Sequence, residues 1–194
     1  MTKPGNNHYP TPPEATRALL SVEAFPGGVW EPCAGSGEMA AVLREAGCTV
    51  RATTLEEAQY DPRRPKHRVK GGVDFLGEAE SAHPNIVTNP PYNRAEEIIR
   101  HALSLRPAKV AMLLNIGFLG AECRARGLWI EHPPARVWVI ADRITMYPAD
   151  YEGKKGSTNQ THAWFVWELP QRRGAPEIGW VLAKDFKDDD GGRR

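Results

Sequence analysis

An apolar run, Asn85-Ile86-Val87-Thr88, stops at Asn89-Pro90-Pro91-Tyr92, and no other feature constrains the fold of this chain as tightly. Two successive prolines lack the N–H groups that continue a strand's hydrogen-bond ladder, so a strand ends here and the chain turns. The turn brings an Asn amide, a proline-locked carbonyl and an aromatic ring to one strand end. That set suits the grip of a planar, amino-bearing group. Asn89 Oδ1 and the Pro90 carbonyl accept its two hydrogens, and Tyr92 offers a flat face for stacking. A proline-rich connection between strand and helix, with no chemical duty, is the competing reading.

Upstream, Val29-Trp30-Glu31 starts a strand that runs into Pro32-Cys33-Ala34-Gly35-Ser36-Gly37. Met39, Val42, Leu43 and Ala46 then recur at spacings of three and four, which predicts a helix over Glu38 to Ala46, stopped by Gly47. Gly35 and Gly37 permit positive φ and a close approach of ligand to backbone. The run Gly35 to Ala40 also fits the dinucleotide pattern G-x-G-x-x-A. Against that pattern, Glu31 and Glu38 bracket the turn with negative charge, which suits a cationic amino-acid group better than a pyrophosphate. A nicotinamide-dependent oxidoreductase would rest on this pattern alone.

Further strands are expected over Thr49 to Leu55, Val69 to Val73, Asn85 to Thr88, Lys109 to Leu114 (central, being almost wholly apolar), Ala135 to Ala141 and Ala163 to Leu169. Ile178 to Leu182 fits one more. Helices are expected over Glu14 to Glu23, Arg94 to Leu105 and Leu119 to Leu128. Residues 1–13 read as an extended arm, and the acidic tail from Lys184 as disordered, leaving one domain over 1–183. Strands alternating with helices imply an α/β, doubly wound, mostly parallel sheet that binds ligands at its carboxyl edge.

Together, Tyr9-Pro10-Thr11-Pro12-Pro13, the Glu31-to-Gly37 turn, Asp74-Phe75-Leu76, Thr88 to Tyr92 and Ala163-Trp164-Phe165-Val166-Trp167 resemble the class I S-adenosylmethionine-dependent methyltransferases. Among these the chain looks most like the short phage and prophage DNA adenine methyltransferases. The resemblance implies a Rossmann-like sheet of seven strands with a terminal antiparallel hairpin, and S-adenosyl-L-methionine as cofactor. It implies cofactor contacts from Thr11, Pro12, Glu31, Pro32, Cys33, Ala34, Gly35, Gly37, Asp74, Phe75 and Asn89, with Asn89, Pro90, Pro91 and Tyr92 at the reacting amine. Thr54 stands where an acid for the ribose hydroxyls is expected, so Glu56 is the candidate for that role. Asp74 also fits a turn cap. Acceptors of the same kind, an RNA base or a protein glutamine amide, remain open, as does a non-catalytic binding module.

Basic and acidic residues number 25 and 24, so any DNA contact must come from local patches. Arg143, Lys154 and Lys155 are the candidates, with Arg124 and Arg126 beside them; solvated surface charge is the alternative. Three scattered cysteines supply neither a metal cluster nor a disulfide framework, and Cys33 reads as a packing residue rather than a nucleophile. No apolar segment is long enough to span a membrane, which leads to the expectation of a cytoplasmic protein. No feature specifies an oligomer.

Overall fold

The computed structural model describes residues 9–57, 62–147, 160–171 and 174–187. Its strands are β1 (Val29–Glu31), β2 (Val50–Ala52), β3 (Asn85–Thr88), β4 (Lys109–Asn115), β5 (Arg136–Ile140), β6 (His162–Glu168) and β7 (Glu177–Val181). Its α-helices are α1 (Pro13–Leu20), α2 (Glu38–Glu45), α3 (Ala95–Ser104), α4 (Glu122–Arg126) and α5 (Leu128–Glu131). The strands form one sheet in the order β2-β1-β3-β4-β6-β5-β7. β6 alone runs against its neighbours; every other pairing is parallel.

Apolar alternation explains why both faces of this sheet are covered. In β4, Ala111 and Leu113 join Leu19, Leu43 and Trp164 beneath α1 and α2, whereas Val110, Met112 and Leu114 join Ile98, Ile99 and Phe165 beneath α3. A strand that is apolar on both faces must be internal, and β4 occupies the middle position.

The observed elements correct several expectations. Val69 to Val73 is not a strand: Lys70 forms one isolated bridge to Thr53, and Gly72 has φ +69°. The expected helix over Leu119 to Leu128 is broken into a 3-10 turn (Ile116–Gly120), α4 and α5, with Gly127 at φ −126° and ψ −91° between the last two. The hairpin of β5 and β6 is present, but β6 inserts between β4 and β5, and β7 extends the sheet beyond it. The disorder expected from Lys184 does not hold for its first residues, and residues 188–194 lie outside the described ones. Ala183–Phe186 forms a 3-10 turn with Ala183 buried, and Arg17 donates to the Phe186 carbonyl at 3.0 Å.

β1 and β3 are neighbours, while β2 continues the sheet to one side and β4 to the other. The strand order therefore reverses between β1 and β3, which opens a crevice beyond their carboxyl ends. Both sequence turns singled out above leave the sheet at that point.

Candidate active site

The turn after β1 and the turn after β3 are bonded together before any ligand is considered. Cys33 N–H donates to Thr88 Oγ1 at 3.3 Å, and Gly37 N–H closes its own turn on the Ala34 carbonyl at 2.8 Å. Gly37 has φ +85°, and a Cβ there would lie 2.5 Å from the His67 carbonyl oxygen. Its glycine is thus required by the close approach of the 3-10 turn Pro65–His67. Gly37 does not line the cavity, contrary to its expected ligand role, whereas Gly35 does.

A cavity of about 740 Å³ lies over these turns. On one side its wall is Glu31, Pro32, Cys33, Ala34 and Gly35, and on the other Asn89, Pro90, Pro91 and Tyr92. Asp74, Phe75 and Glu56 contribute from the loops after β2. The amino-terminal arm closes it with Tyr9, Pro10 and Thr11. Pro12, expected beside Thr11, is not in the wall; it sits at the start of α1, where its carbonyl accepts from Ala15 N–H.

Glu31 is the electrostatic centre of this wall. It is buried, and its Oε2 has no hydrogen-bond partner among the described residues. Burial, and after it the charge of Glu38, push its carboxyl well above the ordinary range; Arg44 and the Ala40 N–H at the start of α2 oppose them. A cation placed at Oε2 would satisfy the oxygen and the charge together. Thr54, buried where an acid was expected, donates its hydroxyl to Glu56 Oε2 at 2.9 Å and holds that carboxylate at the cavity.

Asn89 faces two ways. Its Nδ2 donates to Thr11 Oγ1 at 3.1 Å and is directed at the Tyr9 carbonyl at 3.4 Å, which ties the arm to the turn. Those bonds, with a contact to Met146 Sδ at 3.5 Å, fix the amide with Oδ1 free of a protein donor among the described residues. The Pro90 carbonyl likewise accepts no backbone hydrogen bond among them. Tyr92 is partly exposed, and burial, then Tyr9, raise the pKa of its hydroxyl, so the ring is a neutral phenol.

Other predicted residues have structural duties in addition. Asp74 accepts from Leu76 N–H at 3.1 Å as the cap of a 3-10 turn, the competing account, while still lining the cavity. Phe75 is buried edge-on against Trp30, with ring centroids 5.1 Å apart. Burial pushes the Cys33 thiol up to about 12, which leaves it an unreactive packing group. Arg143 is exposed outside the cavity wall, and Lys154 and Lys155 lie outside the described residues. Arg124 lies over the Phe118 ring at 4.2 Å, and Arg126 pairs with Glu122 at 2.8 Å. Sequence reasoning missed Met146, Gln160, Arg94 and His162 in the wall. His162 had a signal: it opens an antiparallel strand, so it lies at the carboxyl edge of the parallel ones.

Among the described residues, no group of three metal-ligating side chains comes together, and no helix is long and apolar enough to cross a membrane. No protein-family model matches the sequence, and no curated protein does either. Solved structures do match. A protein described as a class I S-adenosylmethionine-dependent methyltransferase from Listeria monocytogenes aligns with TM-score 0.56 and 11% identity, over 94% of this chain and 68% of that one. A protein described as the modification subunit of a type I restriction enzyme from Vibrio vulnificus YJ016 gives 0.55 and 12%, over 100% and 49%. One described as an O-methyltransferase from Agrobacterium tumefaciens gives 0.54 and 14%, over 89% and 86%. The chain thus spans about half of the Vibrio protein. At these identities the likeness is one of architecture, and it establishes that this chain has the class I methyltransferase fold.

Proposed function

We propose that this protein transfers a methyl group from S-adenosyl-L-methionine to the exocyclic amine of adenine in DNA, acting on a flipped-out or unpaired base. One observation carries the reading: the Glu31-to-Gly35 turn and the Asn89-to-Tyr92 turn face a single cavity at the switch point of the sheet. The residues present fit the cofactor. Glu31 Oε2, buried without a partner, suits its ammonium group, and the Thr54-held Glu56 suits its ribose hydroxyls. The cavity volume lies within the roughly 300–1,000 Å³ of cofactor-sized sites. Bound there, the cofactor supplies an activated methyl carbon.

The chain's own contribution is positioning and charge. An adenine amine is a poor nucleophile because its lone pair is delocalised into the ring. Asn89 Oδ1 and the Pro90 carbonyl, acceptors without protein donors, hold the two amine hydrogens and localise that pair as positive charge develops. Tyr92 supplies a stacking face worth about 1–3 kcal/mol, offsetting part of the lost base stacking. Methylation would leave the amine nitrogen cationic and its surplus proton acidic, so that proton would pass to water and the neutral phenol takes none. A base within a duplex cannot enter such a cavity, so extrusion or a single strand is required. The Vibrio neighbour, described as the modification subunit of a restriction enzyme, supports this acceptor class.

The test is a labelled-methyl assay with DNA, RNA and protein acceptors offered side by side, followed by digestion to nucleosides or amino acids. N6-methyladenine from DNA is the expected product, and Asn89→Ala should cut its formation by about 100-fold or more, the cost of losing an aligned electrostatic partner. Label on RNA or glutamine alone would replace the DNA assignment, and an undiminished Asn89→Ala would remove the amide from the chemistry.

A further inference from the structure

Of the polar side chains in the cavity wall that the mechanism does not use, His162 stands apart because its ring nitrogens are both buried without a partner among the described residues. His162 is 2% exposed, opens β6 opposite Asn115, and lines the cavity beside Tyr92. A buried donor or acceptor left unpaired is destabilising, and a neutral imidazole carries one of each. A ligand in the cavity would complete it. Its rings-and-walls geometry narrows what that is. Tyr92 and His162 are stacked at an interplanar angle of 29°, with centroids 6.3 Å apart. That spacing is less than two aromatic contacts, about 7 Å, so the pair forms one continuous wall and not a slot for a ring between them.

We propose that His162 reads the acceptor base, forming a hydrogen bond with a ring nitrogen next to the amine held by Asn89. The inference rests on the function proposed above and deepens it. An adenine presents unprotonated ring nitrogens on both sides of its amine, N1 and N7, and a neutral imidazole N–H donates to either. Burial keeps this imidazole uncharged at neutral pH by lowering its pKa to about 4, so the donor comes without a charge to desolvate. Asn89 and Pro90 select for an exocyclic amine of any kind. His162 adds a requirement for an acceptor atom in the ring beside it, which a side-chain amide lacks.

The experiment pairs His162→Phe, which keeps ring and volume but has no nitrogen, with His162→Asn, which keeps a donor. Acceptors are random-sequence single strands whose adenines are all adenine, all 1-deazaadenine or all 7-deazaadenine. His162→Phe should lose about tenfold or more in kcat/KM on adenine, His162→Asn should recover part of it, and the loss should vanish on the one deaza strand that lacks the contacted nitrogen. An unaffected His162→Phe, or one equally impaired on all three strands, overturns the assignment. A second readout needs no turnover: the imidazole ¹⁵N signals of His162 in labelled wild-type protein, recorded with and without the adenine strand. A shift of one ring nitrogen on adding the strand supports the contact, and unmoved signals overturn it. Wild-type protein that methylates no DNA overturns the DNA reading separately, and the ¹⁵N signals then decide the case of His162 alone.

Discussion

Glu31 is a carboxyl group placed where water cannot reach it, with one oxygen unpartnered and Glu38 nearby. Its folded pKa is raised, so the folded protein binds this proton more tightly than the unfolded chain does. The contribution to stability is therefore full below the ordinary value of 4.5 and is lost as pH rises through the raised folded value. In Glu31→Gln that loss disappears. Denaturation of the ligand-free protein between about pH 5 and 9 should show a flatter stability profile for the variant, by about 1 kcal/mol or more, equivalent to about 2–4 °C in Tm. Calorimetry should show S-adenosylmethionine binding weakened by roughly 10–100-fold, the range for losing a charged hydrogen bond. Parallel profiles for the two proteins would mean that Glu31 is not the strained group. At this scale the sequence was a good guide to residue type and a weaker one to duty. Glu31 was legible from its place after a strand and before a glycine turn. The neighbouring residues Pro12 and Gly37 were not, because a carbonyl accepting the first helical N–H and a close pass by His67 are tertiary facts.

Elements at the far end of the sheet are held by a different kind of electrostatics. Glu23, just after α1, is 7% exposed and meets Lys109 of β4 at 2.6 Å and Arg136 of β5 at 3.1 Å; the Trp138 indole also donates to it at 2.9 Å. Arg136 forks onward to Glu168 of β6 at 2.6 and 3.2 Å. Burial opposes the Glu23 charge, but Arg136, Lys109 and Trp138 outweigh it and hold the carboxyl below its ordinary range; Arg136 does the same for Glu168. Both folded values are depressed, so this stabilisation is present above about 4.5 and fades as pH falls through them. Arg136→Ala should cost about 2–3 kcal/mol, below the 3–5 of a fully buried pair because Glu168 is partly exposed. Urea denaturation should show that cost at pH 7 and much less of it near pH 3, with cofactor affinity unchanged; an equal cost at both values would make the effect one of packing. The apolar strands β1, β3 and β4 were legible at nearly their observed bounds, since a continuous apolar run has no other place than the middle of a sheet. The pieces around Gly72 and Gly127 were not, because there the backbone conformation, and not hydrophobic pattern, decides where an element ends.

For the molecule as a whole, strand and helix alternation made the doubly wound class legible, but not that β6 would insert between β4 and β5. Period-two patterning states which strands are buried and is silent on their neighbours. That insertion is what brings His162 to the cavity edge and sets β5 beyond the wall, while the segment after β5 returns to the wall at Met146. Charge has to be read at this scale too. A formal net charge of +1 gives no global attraction to nucleic acid, so affinity for DNA depends on a few cations free to meet phosphates. Of the candidates, Arg124 is engaged by the Phe118 ring and carbonyl and Arg126 by Glu122, whereas Arg143 is exposed and makes no ion pair or hydrogen bond among the described residues. Arg143→Gln should therefore reduce the slope of log affinity against log salt by about 0.7 on single strands or about 0.9 on duplex, one phosphate contact's worth. Replacing Lys154 and Lys155 together should take away up to about twice that. Arg124→Gln should leave the slope alone and lower Tm instead, through its lost cation–π and carbonyl contacts. Fluorescence anisotropy over a salt series separates these cases. A slope unchanged by Arg143→Gln but reduced by Arg124→Gln would place the phosphate track along α4 and not at Arg143.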